Sequence, residues 1–421
     1  MHDIFDLAES RVRSYCRSFP ALFTRAIGHQ VFTEDGRCLT DLLTGCGALN
    51  YGHNNPTLKR AVLDYLAHDG IVQAMDLHTE AKAAFLRRFR RVILEPRGMP
   101  HRVMFTGPTG TNAVEAALKL ARKATGRATI VAFTGGFHGM TLGALAATAN
   151  RDKRRGAGQP LPGVLRLPFD GYGTADMLDF LERAIEDPGS GIDAPACFLV
   201  ETVQGEGGLR AASADWLLRV QALAERSGAL LAIDDIQAGC GRTGSFFSFE
   251  PFGLKPDLVC LSKSIGGIGL PMALLLIEPS RDVWEPGEHN GTFRGNNLAF
   301  VAAEAALGYW EDRAFQDDLA QKIDILDDRL EAIAARWPEH VAGLRGRGFM
   351  RGLVLQGPGT AALVSRQLFA RDVIAETCGP DDEVLKLLPP LTIPIDALTQ
   401  ALDTIEDVIA GLASVELAAA R

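Results

Sequence analysis

Through the middle of the chain, short apolar runs alternate with amphipathic stretches, the order expected of strands and helices laid in turn on a parallel sheet. Four uninterrupted runs predict buried strands at 128–133, Cys197–Val200, 230–233 and Leu258–Leu261. Between them, 112–125 and Ala214–Ser227 carry apolar positions at helical spacing. In the first of these helices Glu115 and Lys119 stand four apart on an exposed face, and Gly126 is placed to end the helix in a left-handed conformation. The two ends follow another pattern. Residues 1–60 are hairpin-like, with two strands expected in 31–39 around a Glu34-Asp35-Gly36 turn. From about residue 300 long amphipathic helices take over, at 298–310 and 315–336, and the last hundred residues add a small α+β unit. The expected fold class is α/β. A large domain with a mostly parallel sheet occupies 61–305, and a smaller α+β domain is built from both termini, 1–60 and 306–421.

Composition narrows the function. The 421 residues suit two or three domains at roughly 150 residues each. Lys plus Arg number 43 against 52 Asp plus Glu, a net charge of −9, which argues against nucleic acid or an anionic membrane as the main partner. The densest basic cluster, Arg151 to Arg155, reads as a solvated loop. Seven scattered cysteines form no CxxC pair, so neither a disulfide framework nor a metal knuckle is indicated. The first residues lack a signal-like apolar stretch, and the aliphatic run at 270–277 is far short of the ~20 residues of a membrane span. A cytoplasmic location is expected.

The chemistry follows the strands. Val200 is succeeded by Glu201, Ile233 by Asp234 and Asp235, and Leu261 by Ser262 and Lys263, while Phe133 leads into a Gly-Gly-Phe137-His138 turn. In open parallel sheets ligands bind beyond the carboxyl ends of the strands, so these residues should converge on one crevice. One of the paired aspartates is expected to face inward, where a cationic ligand nitrogen would relieve an otherwise costly buried carboxylate. Ahead of the 112–125 helix, Gly110 and Thr111 offer free backbone N–H groups at the positive helix end, a phosphate site. Gly239-Cys-Gly-Arg-Thr-Gly244 matches the dinucleotide-binding pattern, but five residues separate it from the strand and no helix follows. A phosphate cradle, an imine-forming lysine, an aspartate for a ring nitrogen and an aromatic ring face together specify pyridoxal 5'-phosphate, with Lys263 and Asp234 catalytic.

With those residues in place, the chain resembles the class III, fold-type I aminotransferases across nearly its whole length. The resemblance rests on 230–244 and on Lys263, which follows Asp234 by 29 positions (263 − 234). One departure is Asp235, where the family usually carries glutamate. The resemblance implies that Asp234 pairs with the ring nitrogen, that Gln237 approaches the ring hydroxyl, and that Phe137 stacks on the ring beside His138. It implies too that Gly110 and Thr111 hold the phosphate and that Thr292 reaches the phosphate in a neighbouring subunit. The expected assembly is therefore a homodimer or higher homo-oligomer with shared active sites. A narrower likeness, carried by 16–20, 49–56, 104–113 and 284–297, is to the diaminobutyrate–2-oxoglutarate transaminase branch. That branch moves an amino group from L-glutamate to L-aspartate 4-semialdehyde in ectoine biosynthesis. Ornithine, acetylornithine, 4-aminobutyrate and other diamines stay open as alternative substrates. Many relatives place a carboxylate-binding arginine before the C-terminal Pro-Pro-Leu-Thr; Lys386 stands there, with Glu206 as its expected partner and Glu201 nearby in the substrate pocket.

Overall fold

A seven-stranded sheet forms the centre of the computed structural model, which describes residues 3–173 and 177–419. Across the sheet the strands run Arg102–Gly107, Ala273–Ile277, Leu258–Leu261, Leu230–Asp234, Cys197–Val200, Ile130–Phe133 and Val164–Leu167. All are mutually parallel except Ala273–Ile277, which is antiparallel to both of its neighbours. Every residue of Ile130–Phe133, Cys197–Val200, Leu230–Asp234 and Leu258–Leu261 is buried, which is why these strands read as unbroken apolar runs.

The helix after Arg102–Gly107 spans Gly110–Thr125, and Gly126 ends it at φ 69°. Its start is fixed by Asn112, whose Oδ1 accepts hydrogen bonds from Thr109 N (3.2 Å) and Thr109 Oγ1 (2.8 Å). Glu115 and Lys119 do not pair with each other, because each has a stronger tether. Glu115 accepts from Thr141 Oγ1 (2.6 Å) and Ala144 N (3.0 Å), and Lys119 donates to the Glu288 carbonyl (2.8 Å). Residues Arg151–Arg155 are not a loop but an exposed one-turn helix, begun where Asn150 Oδ1 accepts from Lys153 N at 3.0 Å.

The smaller part joins both ends of the chain. Strand Gln30–Thr33 pairs antiparallel with Cys38–Asp41 in the expected hairpin, and Cys38–Asp41 then pairs parallel with Val373–Ile374. Beside it, Val341–Arg347, Met350–Leu355, Val384–Leu387 and Glu376–Cys378 form an antiparallel sheet. Helix Arg313–Arg336 packs against it, and Ile395–Ala419 packs on that helix. The expected helix at 298–310 divides into Asn297–Ala306 and Gly308–Glu311.

The glycines of 239–244 serve packing. A Cβ on Gly239 would stand 2.6 Å from Asp235, and one on Gly241 would stand 2.6 Å from the Trp310 ring. Between them and Gly244, the fully buried Arg242 donates to the carbonyls of Phe349 and Pro389 and to Asn50 Oδ1, clamping the smaller part onto the large sheet.

Candidate active site

At the carboxyl ends of the central strands lies a cavity of about 170 Å³. It is lined by Gly110, Thr111, Phe137, His138, Gly139, Glu201, Glu206, Asp234, Ile236, Gln237 and Lys263. Chemistry rather than size distinguishes it, since a hollow of about 790 Å³ beside residues 5–23 is larger. Residues from five separate segments meet here because each follows the end of a strand or opens a helix.

Asp234, the last residue of its strand, is buried and hydrogen-bonded through Oδ2 to His138 Nδ1 at 2.7 Å. Burial alone would lower the pKa of His138, but the hydrogen bond and charge of Asp234, helped by Glu201, raise it above the ordinary value. The imidazole therefore keeps a proton facing the carboxylate. Behind it, Thr148 Oγ1 accepts from His138 N (2.9 Å) and donates to the Gly139 carbonyl (3.0 Å). Asp235 takes the other direction. It is buried outside the cavity, its Oδ2 accepts from Ser248 N at 3.1 Å, and burial pushes its carboxyl up to about 7.

Lys263 opens a short turn, Lys263–Gly266, at φ 53°, a left-handed conformation uncommon outside glycine. Desolvation, with Lys386 adding to it, lowers the pKa of its ammonium against the opposing pull of Glu206. Glu201 lines the cavity but is committed to backbone: Oε2 accepts from Phe137 N (3.0 Å) and Oε1 from Gly205 N (3.2 Å). Its burial lifts its pKa to about 7.

One corner of the cavity is the first turn of Gly110–Thr125. Gly110 packs so closely on Ile236 that a Cβ there would lie 2.9 Å from Ile236 Cδ1. Thr111 Oγ1 is 2.6 Å from Thr141 Oγ1, which donates to Glu115. Gln237 Nε2 donates to the Cys46 carbonyl (3.0 Å), while its Oε1 is buried without a hydrogen-bond partner among the described residues.

Two expected residues do not line the cavity. Lys386 has no exposed side-chain surface and lies behind Glu206, with Nζ 2.8 Å from Glu206 Oε1 and 2.9 Å from Glu376 Oε1. Burial would raise the pKa of Glu206, but Lys386 foremost and Lys263 next bring it down to about 2. Thr292 is exposed, in the turn Thr292–Gly295, and its carbonyl accepts from Gln73 Nε2.

Sequence reasoning passed over four contributors. Ile236 forms a wall of the cavity. Glu376 is the second carboxylate on Lys386, Cys46 Sγ lies 3.7 Å from Glu376 Oε2, and Tyr15 OH lies 2.7 Å from Cys46 Sγ. An acid inside the buried strand Glu376–Cys378 was the one visible signal for Glu376. Nothing local marks Tyr15 or Cys46.

The donor set fits a phosphorylated pyridine aldehyde. A helix N-terminus with two flanking threonine hydroxyls suits the phosphate, a buried carboxylate suits a protonated ring nitrogen, and the open Gln237 Oε1 suits a ring hydroxyl.

Comparison with known proteins gives the family. The profile of the class-III aminotransferases matches residues 13–409. A diaminobutyrate–2-oxoglutarate transaminase of Halalkalibacterium halodurans is 52% identical over 412 residues, covering 97% of this chain and 96% of its own length. Proteins of the same name from Vibrio cholerae and Streptomyces anulatus are each 53% identical, over 97% and 96% of this chain and 99% and 96% of their own. Among solved structures, the Toxoplasma gondii ornithine aminotransferase superposes with a TM-score of 0.85 at 23% identity, covering 98% of this chain and 94% of that one. An S-selective transaminase from Arthrobacter sp. gives 0.86 at 20%, covering 98% of both chains. At those identities the likeness is one of fold.

Proposed function

Because the chain belongs to the class-III aminotransferases, we propose that it is a pyridoxal-phosphate-dependent transaminase exchanging the 4-amino group of L-2,4-diaminobutyrate with 2-oxoglutarate. The products are L-aspartate 4-semialdehyde and L-glutamate, and the ectoine-type direction runs the exchange in reverse. The observation that carries the reading is the single cavity uniting Lys263, the Asp234–His138 pair and the Gly110–Thr111 helix end. Relatives bearing that enzyme name at 52% and 53% identity support the substrate pair.

When bound, the cofactor supplies an aldehyde to carry the amino group and a ring to take up the electron pair of a broken C–H bond. Gly110 and Thr111 would hold its phosphate, Asp234 its ring nitrogen, Gln237 its hydroxyl, and Phe137 and Ile236 its two faces. The Asp234 carboxylate would hold a proton at that nitrogen, and His138, hydrogen-bonded to its Oδ2, fixes the direction of the side chain. Lys263 Nζ, its pKa lowered by burial, would take the proton from the substrate carbon and return it one position away. Glu201 fixes the Phe137 backbone through its hydrogen bond. Glu206, with Lys386 behind it, meets the charged far end of the substrate.

The same reading makes the enzyme a homo-oligomer. Thr292 lies outside its own cavity, and the segments around it bond to each other, Ala74 N to the Gly295 carbonyl and Asn297 N to the Val72 carbonyl. They bring the exposed Ile71, Val72, Met75 and Phe293 onto one surface. Domain limits at 1–60, 61–305 and 306–421 are supported by the seven-stranded sheet, whose strands all fall within the middle segment. No helix among the described residues is long and apolar enough to cross a membrane. Seven unpaired cysteines support a cytoplasmic setting.

Absorbance of the purified holoenzyme tests the proposal. A yellow band that bleaches with L-2,4-diaminobutyrate and returns with 2-oxoglutarate is the expected result, with parallel double-reciprocal lines in steady state. A band indifferent to the diamine but bleached by ornithine or 4-aminobutyrate would overturn the substrate assignment and leave the cofactor in place.

A further inference from the structure

Lys386 carries one positive charge and touches two carboxylates, Glu206 and Glu376, so with both ionised the three side chains hold one more negative charge than positive. The two acids are not equivalent. Glu376 is the cross-strand partner of Lys386 in an antiparallel pair, and its side chain is 7% exposed. Register alone keeps it against the lysine. Glu206 stands between Gly205 and Gly207 in a loop, its side chain is 35% exposed, and it lines the cavity. Glu376 does not line the cavity, so it acts on substrate through its neighbours, of which Lys386, at 2.9 Å, is the directly paired charge.

The proposed reaction asks the far end of this cavity to accept two different charges. When diaminobutyrate reacts through its 4-amino group, the end left over carries an ammonium and a carboxylate. When glutamate reacts through its α-amino group, the end left over is a lone carboxylate. A simple Lys–Glu pair would be neutral toward both. We propose that Glu376 is a positioning residue that shares the charge of Lys386 with Glu206, so that Glu206, bonded to the lysine through Oε1, still presents an anion to the cavity and engages the non-reacting ammonium of a diamino acid. Without Glu376, the fully buried lysine has Glu206 as its remaining carboxylate, and the pair they form is neutral toward substrate. This proposal rests on the diaminobutyrate reading above and adds the residue that discriminates between the two substrates.

The test follows each half-reaction of the holoenzyme separately by stopped-flow absorbance, bleaching with L-2,4-diaminobutyrate and recovery with 2-oxoglutarate. Glu376→Gln is expected to lower the second-order constant for the diamine relative to that for the keto acid by about tenfold, the size of one lost charge contact. Glu376→Asp, which keeps the charge on a shorter stem, is expected to recover part of that ratio. Equal losses in both half-reactions, or an unchanged ratio, in a wild-type background that responds to the diamine would overturn the role of Glu376 alone. A wild-type holoenzyme that diaminobutyrate does not bleach would overturn this proposal together with the substrate reading.

Discussion

Burial disfavours the ammonium form of Lys263 and so favours it as a base, while Glu206 limits how far that shift goes. Lys263→Ala removes the one amine on the cavity wall. We expect it to retain bound cofactor and to lose more than about 10³-fold in turnover, measured by absorbance and steady-state rate on the same preparation. Retained turnover would take the proton-transfer role away from Lys263. The neighbouring aspartates show how one position reverses a carboxylate's task. Asp234 faces the cavity and is held by His138, whereas Asp235 is sealed against Ser248 and raised to about 7. A carboxyl raised in the folded state contributes stability that is fully present below its unfolded pKa, near 4. That contribution fades as pH climbs to about 7. Asp235→Asn keeps the acceptor for Ser248 N without the charge. Denaturant midpoints should show the variant gaining on wild type from pH 4 to pH 8, by roughly 2 kcal/mol after allowance for relaxation. A difference independent of pH would count against a buried, protonated Asp235.

Two elements carry the reactive groups, and each is held by a neighbour. The Gly110–Thr125 helix is tied through Glu115 to the segment after Gly139, and through Lys119 and Lys123 to Glu288 in the loop that leads to Thr292. The turn bearing Lys263 is backed by Gly267, at φ 74°, where a Cβ would lie 2.7 Å from the carbonyl carbon of Ala302 in helix Asn297–Ala306. Gly267→Ala combines a strained conformation with a backbone clash. It should cost about 1–3 kcal/mol in stability and weaken cofactor retention during gel filtration. A variant as stable and as well loaded as wild type would show that the turn tolerates displacement. The register of Glu376–Cys378 on Val384–Leu387 is the corresponding device for the substrate end, since it places Glu376 opposite Lys386.

At the scale of the whole molecule, the proposed role of Thr292 requires a second copy of the chain. A subunit-mixing experiment separates this from action within one chain. Thr292→Asp sets a negative charge against the phosphate, and Lys263→Ala removes the base, so each homodimer should be nearly inactive. Random exchange makes half of the dimers hybrids with one intact site of two, so about a quarter of wild-type activity should return on mixing. No recovery would place Thr292 with its own chain's site or with neither.

The amino-acid sequence by itself determined the central strands and the chemistry at their ends. A strand buried on both faces is an unbroken apolar run, and a polar residue directly after such a run lies at the rim where ligands bind. That is why Asp234, Lys263, Phe137 and the Gly110 helix end were legible before any coordinates. Local pattern set Glu115 and Lys119 four apart on one helix face, yet each bonds elsewhere, because a helix face does not reveal the loops that will compete for its charges. Tertiary structure alone decided that Asp235 is sealed against Ser248 and that Lys386 is buried behind Glu206. It alone brought Glu376 to Lys386, and Cys46 to a glutamate 330 residues away. The physical reason is range. Burial and helical periodicity are written over a few consecutive residues, whereas charge partnerships depend on which distant backbones are brought into register.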